Sequence, residues 1–222
     1  FCTFTAKFAL MDLSDFRKQY TKGQLLASEV PPNPIILFRD WFDEVQSKGK
    51  EQETNAMTLS TQQSDGGVAS RVVLLKEVSD EGFVFYTNYN SSKGQSIEHN
   101  NQVCLSFFWQ SMERQVIIQG TAKKLPPEVS DQYFQSRPRG SQLGAHVSNQ
   151  SEVIESRSTL ENRLKSLEDQ YKNQPIPRPT QWGGYVVSPH SIEFWQGRTN
   201  RLHDRLVYKQ KSSTWVIKRL SP

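Results

Sequence analysis

The fold class follows from residues 56–76, which read AMTLSTQQSDGGVASRVVLLK. From Asn55 the pattern takes a period of two, and Ala56–Thr61 and Val68–Lys76 are the two runs that follow. A period of two places successive side chains on opposite faces of a β-strand. Between the two runs, Ser64–Gly67 (SDGG) supplies residues that tight turns favour, so this stretch predicts a β-hairpin.

Similar runs follow the hairpin along the chain. A second turn at Ser79–Gly82 leads into a predicted strand at Phe83–Asn88. The remaining predicted strands are Gln102–Trp109, Arg114–Lys123, Gly184–Ser188, Ile192–Gln196, Arg205–Lys209 and Trp215–Leu220. Consecutive hairpins with few helices between them favour an antiparallel sheet closed into a barrel, which is a mainly β fold with flanking helices (α+β).

Three helices are predicted around this sheet. Asn33-Pro34 has the signature of an N-cap followed by proline at the first helical position, and apolar residues continue at helical spacing to Val45. The other two helices are Pro127–Ser136 and Arg157–Lys172, and Pro175–Pro179 forms a stiff connector after them. Residues 1–30 lack periodicity and are interpreted as a partly mobile arm, so we predict one domain over residues 31–222.

Composition excludes several classes of protein. The chain has 222 residues, a formal charge of +4 and 11% aromatic residues, which is typical of a folded and mildly basic domain. No apolar run approaches the roughly 18 to 20 residues of a membrane helix. Two cysteines and four scattered histidines predict neither a disulfide scaffold nor a metal site. Two distant thiols fit a reducing compartment, so we expect a cytoplasmic protein, with organellar import left open.

Cationic residues inside apolar strands are the main chemical signal. Arg71 and Lys76 bracket the apolar run Val72–Leu75, and Arg114-Gln115 opens another strand. A charge on a strand fit for burial is costly unless it meets an anion. Two interpretations stay open at this point: the cations bind an anionic ligand, or they reach solvent or pair with acidic residues.

Two further segments concentrate charge. Ser136–Ser141 offers two guanidinium groups and two hydroxyls in a predicted turn, which suits a phosphate or a solvated loop equally. Glu193–Arg205 carries three arginines, of which Arg205 is the last, together with Trp195 and His203. If that segment is extended, Arg201, His203 and Arg205 share a face and predict an anionic ligand. Nucleic acid is not favoured, because the aromatic residues do not interleave with a long basic stripe. Dinucleotide, phosphate-loop and nucleophile-elbow motifs do not occur in the sequence.

Five motifs resemble those of the pyridoxine (pyridoxamine) 5′-phosphate oxidase family. They are RVVLLK (71–76), GFVFYTN (82–88), RQVIIQG (114–120), YFQSRPRGSQLG (133–144) and FWQGRTNRLHDR (194–205). The resemblance runs from about Arg17 to Pro222. It implies a split β-barrel that binds FMN and forms a homodimer with two sites at the interface. The implied reaction oxidises pyridoxine or pyridoxamine 5′-phosphate to pyridoxal 5′-phosphate, with O2 as acceptor, and gives H2O2, with ammonia from the amine.

The resemblance also implies roles for individual residues. The implied cofactor-binding residues are Arg71, Val72, Val73, Leu74, Tyr86, Thr87, Ser92, Lys93, Gln115, Gln150, Ser151, Trp195 and Arg205. The implied substrate-binding residues are Arg17, Tyr20, Lys76, Tyr133, Arg137, Ser141, Arg201 and His203, of which Arg201 and His203 are also the catalytic candidates. Ser92 departs from the family, since many relatives carry arginine there. Two alternatives are a split-barrel flavin reductase with another substrate and a non-catalytic carrier of flavin or pyridoxal phosphate.

Overall fold

A computed structural model of the protein describes residues 11–222. Strands β1 (Ala56–Gln62) and β2 (Val68–Leu74) form the predicted hairpin, in antiparallel register from Ala56 opposite Leu74 to Gln62 opposite Val68. Gly66 in the turn has φ +86°, a left-handed conformation that glycine adopts without steric cost. The hairpin prediction is therefore confirmed.

The hairpin is one edge of a curled antiparallel sheet. The other strands are β3 (Glu77–Ser79), β4 (Gly82–Asn88), β5 (Gln102–Trp109), β6 (Arg114–Lys124), β7 (Trp182–Gln196), β8 (Asp204–Lys211) and β9 (Thr214–Leu220). Their order is β2-β1-β5-β6-β7-β4-β3, with β8 also paired to β7 and β9 paired to β8. The sheet is the half-barrel of a split β-barrel fold, as the fold-class prediction requires.

Two predictions about the strands are corrected. Gly184–Ser188 and Ile192–Gln196 are not separate strands, because β7 runs without a break for 15 residues. Pro189 lies opposite Gly120, where the register with β6 shifts at a bulge. Such an irregularity lets a strand carry a proline that lacks a ladder donor. The three-residue strand β3, which the sequence did not predict, pairs with the start of β4.

Within residues 11–222, five α-helices flank the sheet. They are α1 (Pro34–Lys48), α2 (Ser92–His99), α3 (Pro127–Ser136), α4 (Arg139–Val147) and α5 (Arg157–Gln170). The Asn33 side chain accepts a hydrogen bond from the Ile35 amide at 2.9 Å, as predicted for an N-cap. Helix α5 ends two residues earlier than predicted, and the predicted turn at Ser136–Ser141 is the junction of α3 with α4. None of the helices within residues 11–222 is long and apolar enough to cross a bilayer.

The core lies between α1 and the concave face of the sheet. Phe38 of α1 contacts Phe83 and Phe107 edge to face, with ring centroids 4.9 and 5.1 Å apart. A second apolar cluster under α3 and α4 contains Phe134 and Trp182. The predicted arm is described from Met11 onward, so Cys2 and the Phe1–Leu10 stretch lie outside the described residues. The arm and domain boundary stays a prediction.

Candidate functional site

The first candidate site is a cavity of about 830 Å³ between β2, β4 and α4, here named cavity A. Cavity A is lined by twelve of the residues that the sequence analysis predicted for the site: Arg71, Val72, Val73, Leu74, Lys76, Tyr86, Thr87, Lys93, Tyr133, Arg137, Ser141 and Gln150. Strands β2 and β4 and helices α2, α3 and α4 bring these residues together from positions 71 to 150. The spatial grouping matches the predicted grouping, while the role of each residue stays a prediction.

Arg71 and Lys93 form one cationic group in cavity A. The Arg71 guanidinium donates to the Thr61 hydroxyl at 2.8 Å and to the Leu59 carbonyl at 3.2 Å. Lys93 is only 8% exposed, and its ammonium lies 3.4 Å from the Ser91 hydroxyl. Among residues 11–222, no carboxylate lies within 4.0 Å of either cation. Burial lowers the pKa of both side chains, and the nearby Arg71 lowers the pKa of Lys93 further.

Arg137 is the second cationic group. Its guanidinium lies over the Trp182 ring at 4.5 Å, and its Nη1 atom is buried without a hydrogen-bond partner among the described residues. Burial lowers the pKa of Arg137, although the neighbouring Tyr133 opposes that effect. A buried donor without a partner is costly, so this atom is suited to bind a hydrogen-bond acceptor on a ligand.

Aromatic rings form one wall of cavity A. Tyr86 stacks on Tyr133 with ring centroids 3.8 Å apart and planes 16° apart, and Trp182 lies parallel at 5.5 Å from Tyr86. Burial, with smaller contributions from Glu77 and the neighbouring tyrosines, raises the pKa of Tyr86 to about 12. The Tyr86 hydroxyl is therefore neutral at physiological pH and can both donate and accept hydrogen bonds.

Gln150 lines cavity A, and Ser92 and Ser151, which do not, are the sequence neighbours of its lining residues Lys93 and Gln150. The Ser92 amide donates to the Ser151 hydroxyl at 3.2 Å, and the Thr87 hydroxyl donates to the Gln150 side chain at 3.2 Å. Ser151 has φ +79°, an uncommon conformation for a residue other than glycine. These contacts join the loop after α4 to the start of α2, next to Lys93.

A second cavity, here named cavity B, has a volume of about 920 Å³ and shares no lining residue with cavity A. Five predicted site residues line it: Arg17, Tyr20, Trp195, Arg201 and His203. The Tyr20 ring contacts Trp195 and His203 with centroids 5.6 and 5.7 Å apart, and Trp195 lies 4.7 Å from His203. Seventeen of the predicted site residues thus fall into two cavities of one chain, while Ser92, Gln115, Ser151 and Arg205 line neither.

His203 has a defined tautomer in cavity B. The Arg198 amide donates to His203 Nδ1 at 3.1 Å, so the neutral ring carries its proton on Nε2. Burial, and then the charge of Arg201, lower the pKa of His203 from its ordinary 6.5. His203 is therefore neutral at pH 7 and presents an N–H donor rather than a proton acceptor at Nε2.

The backbone near Arg201 differs from the prediction. Thr199–Arg201 is a 3₁₀ turn, with φ +56° at Asn200 and +60° at Arg201. The segment is therefore not extended, and the predicted alternating face of Arg201, His203 and Arg205 is wrong. Arg205 instead lies in β8, as its second residue, and pairs with Glu193 at 2.8 Å.

Gln115 and Arg205 do not line either cavity. They flank Trp195 in one cross-strand row, because Gln115 lies opposite Trp195 in β6 and Arg205 lies opposite it in β8. Arg205 has an acidic partner, and so does Arg114, which pairs with Glu44 at 2.6 Å. The ion-pair interpretation thus describes Arg114 and Arg205, while the cations of cavity A have no acidic partner among residues 11–222, and their binding of an anion stays a prediction.

Sequence reasoning missed two residues of these sites. Trp182 lines cavity A and carries Arg137 on its ring, but its position just after the proline-rich connector gave no periodic signal. Arg198 lines cavity B, donates to His203 and pairs with Asp204 at 3.0 Å. Arg198 stands in the FWQGR motif, but its contact with His203 depends on the 3₁₀ turn between the two residues, which the sequence did not predict.

A curled antiparallel half-barrel with unpaired buried cations in an aromatic-walled cavity defines a split-barrel oxidoreductase that binds FMN. The cations of cavity A fit a phosphate group, and the stacked rings fit flat aromatic ligands. A family described as "Pyridoxamine 5'-phosphate oxidase" matches residues 45–171. A second one, "Pyridoxine 5'-phosphate oxidase C-terminal dimerisation region", matches residues 182–222. The chain belongs to the pyridoxine/pyridoxamine 5′-phosphate oxidase family.

Individual relatives agree with this assignment. The pyridoxine/pyridoxamine 5′-phosphate oxidase of Flavobacterium johnsoniae is 59% identical over 95% of this chain and 99% of its own. That of Leptospira biflexa is 49% identical over 95% and 99%. Among solved structures, PhzG from Burkholderia lata, in complex with tetrahydrophenazine-1-carboxylic acid, has a TM-score of 0.83 at 28% identity and covers 89% of this chain and 98% of its own. An FMN-binding protein from Nostoc punctiforme, at 14% identity and a TM-score of 0.67 over 87% and 98%, shows the same fold.

Proposed function

We propose that the protein oxidises pyridoxine 5′-phosphate or pyridoxamine 5′-phosphate to pyridoxal 5′-phosphate, with O2 as the electron acceptor. The alcohol and O2 give the aldehyde and H2O2, and the amine additionally consumes water and releases ammonia. The observation that carries the proposal is the pair of cationic groups in cavity A. A phosphorylated cofactor and a phosphorylated substrate require two phosphate sites, which Arg71 with Lys93 and Arg137 supply.

One group would hold the FMN phosphate. Arg71 and Lys93 provide the charge, and the Gln150 and Ser151 side chains provide hydrogen bonds from the adjoining loop. Ser92 contributes a hydroxyl at the start of α2, in place of a further cation, while its amide donates to the Ser151 hydroxyl. Strand residues 72–74 with Tyr86 and Thr87 would line the flavin. When bound, FMN supplies the redox chemistry of the reaction.

The other group would hold the substrate phosphate. Arg137 offers a planar pair of N–H donors, and Lys76, Tyr133 and Ser141 surround it with one further charge and two hydroxyls. Two phosphates held at separate places in one cavity fix the distance and angle between substrate and cofactor. Holding reacting groups near contact distance is a large part of catalysis in such a reaction.

Cavity B would complete the site from a second copy of the chain. The chain contains the dimerisation region of its family, and cavities A and B of one copy are separate. We propose that Arg201 and His203 of one copy reach the substrate held in cavity A of the other. Arg201 would orient the substrate and stabilise charge, and neutral His203 would donate a hydrogen bond from Nε2.

Turnover of B6 vitamers tests the proposed function directly. The purified protein should be yellow, and in air it should form pyridoxal 5′-phosphate and H2O2 in equal amounts from pyridoxine 5′-phosphate. Pyridoxamine 5′-phosphate should also release one ammonia per turnover, and unphosphorylated pyridoxine should be a very poor substrate. A colourless protein that FMN cannot reconstitute would contradict the proposal. A flavin reductase would oxidise a reduced nicotinamide instead, and a carrier would show no turnover.

The proposed site also predicts an obligate homodimer. Sedimentation velocity at dilute protein concentration should show a species of twice the chain mass, with no active monomer. If cavity B acts on the other copy, the impaired Arg137→Ala variant mixed with the impaired Arg201→Ala variant should regain activity on subunit exchange, because one site of the mixed dimer then has both arginines. A fully active monomer would show that each chain builds its own site.

Lys93→Met should weaken FMN binding by about 10- to 100-fold, because the phosphate loses a hydrogen bond to a charged group. The pKa of Lys93 is lowered below 10.5 in the protein without ligand, and a bound phosphate raises it again, so FMN binding takes up a proton. Affinity of the unmodified protein should therefore fall as pH rises through the lowered pKa, and the variant should lack this dependence. Titration of apoprotein by flavin fluorescence measures both effects.

Lys124→Met is the matched control for Lys93→Met. Lys124 pairs with Glu98 at 2.9 Å, is about half exposed and lies outside cavity A. Its replacement should leave FMN affinity and its pH dependence unchanged. Equal effects of the two substitutions would show that Lys93 acts only through the overall charge of the protein.

A further inference from the structure

Glu113 holds the chain segment that covers cavity B. It follows the 3₁₀ turn Gln110–Met112, precedes β6 and is only 1% exposed. One carboxylate oxygen accepts hydrogen bonds from the amides of Thr21 and Lys22, at 2.7 and 3.0 Å. The other oxygen lies 3.5 Å from the Lys18 ammonium. A buried carboxylate therefore has its partners in a segment 91 and 92 residues away in sequence.

The backbone of Glu113 also connects to cavity B. Its φ and ψ are +56° and +41°, a left-handed conformation in which Asn or Gly is more usual. In this conformation its carbonyl accepts from the Gly197 amide at 2.8 Å and from the Gln196 side chain at 3.2 Å. One residue thus joins the segment before Gly23 to the end of β7.

The position of Tyr20 depends on these contacts. A Cβ atom at Gly197 would lie 2.7 Å from the Tyr20 ring, so the ring packs directly on the glycine backbone. In this position the ring contacts Trp195 and His203. The amide of the next residue, Thr21, is the one that Glu113 holds at 2.7 Å.

We infer that Glu113 is a positioning residue that fixes the segment Lys18–Lys22, whose residues 18–20 line cavity B, and thereby sets the affinity for substrate. The link to substrate rests on the proposed function, because Arg17 and Tyr20 belong to the proposed substrate site. Glu113 itself lines neither cavity and acts through the Thr21 and Lys22 amides. Its removal should loosen the segment without removing a group that touches the substrate.

Glu113→Asn and Glu113→Gln separate this role from a general structural role. Asn tolerates the left-handed backbone but is one carbon too short, while Gln keeps the length and an acceptor oxygen. In the FMN-loaded dimer, hydrogen exchange at the Thr21 and Lys22 amides should be at least about tenfold faster in Glu113→Asn. Its KM for pyridoxine 5′-phosphate should rise about tenfold with kcat within about twofold, and Gln should restore both readouts.

Glu51→Gln is the matched control, since Glu51 bonds the same turn through the Ser111 amide at 2.7 Å and does not contact residues 18–22. It should leave amide exchange and KM unchanged.

Gly197→Ala should displace Tyr20 with Glu113 intact and raise KM similarly, which keeps the inference testable if Glu113→Asn does not fold. Unchanged exchange at Thr21 and Lys22 in Glu113→Asn, or an unchanged KM in both Glu113→Asn and Gly197→Ala, would overturn it. If the unmodified protein does not oxidise the substrate at all, the proposed function fails, and amide exchange alone decides the role of Glu113.

Discussion

Arg137→Ala should raise the KM for pyridoxine 5′-phosphate by about 100-fold while FMN stays bound. The Arg137 Nη1 atom is buried in cavity A without a partner among the described residues, and its guanidinium is held in place by Trp182. Truncating one member of a buried charged pair costs about 2–5 kcal/mol, and each 1.4 kcal/mol is tenfold in affinity. Steady-state kinetics with the flavin-loaded enzyme measures the effect, and the visible flavin spectrum measures retention of FMN.

Arg139→Ala is the matched control for Arg137→Ala. Arg139 lies two residues away, is exposed, and donates to the Gln174 carbonyl at 3.0 Å and to the Tyr171 carbonyl at 2.5 Å. Its loss should reduce stability slightly and leave KM unchanged. If the unmodified protein turns over pyridoxine and its phosphate equally, or if Arg137→Ala leaves KM unchanged, Arg137 does not recognise phosphate.

The strand pairing was predictable because it is encoded locally. The SDGG turn lies between two strand-forming runs and specifies the β1–β2 hairpin. The two runs are close in sequence and pair with each other. Strand β7 was divided wrongly, because Pro189 ends a strand by local rules. The bulge that accommodates it leaves His190 of β7 unpaired between the partners of Gln119 and Gly120. It depends on pairing with β6, a strand some 70 residues earlier, so no local pattern could reveal it.

The sequence predicted which residues form the candidate site better than it predicted how these residues are arranged in space. A cation without an acidic partner indicates an anion site, but the sequence does not show which cations have such a partner. Arg114, for example, pairs with Glu44 across the contact between β6 and α1. Such long-range pairs do not follow from spacing. The division into two cavities and the contact of Trp182 with Arg137 depend likewise on how the helices pack on the sheet.

Arg201→Ala should slow the anaerobic reduction of bound flavin by substrate by about 100-fold, with FMN still bound. Removing one pre-positioned donor from the site of charge development typically costs 10²- to 10³-fold in rate. His203→Ala should have a smaller effect, since a neutral ring that donates from Nε2 contributes one hydrogen bond without charge. Stopped-flow absorbance under saturating pyridoxine 5′-phosphate separates this step from binding.

The backbone of Arg201 provides a second and independent test. A residue other than glycine at φ +60° is strained by about 1 kcal/mol, and Ala retains that strain while Gly removes it. Arg201→Gly should therefore reduce flavin as slowly as Arg201→Ala, yet unfold at an equal or higher denaturant concentration than the unmodified protein. If Arg201→Gly is more stable than the unmodified protein, the arginine lowers the stability of the fold, which implies that its side chain is retained for function. If both variants reduce flavin at the unmodified rate under saturating substrate, Arg201 only anchors the substrate, and the strained turn serves to shape cavity B.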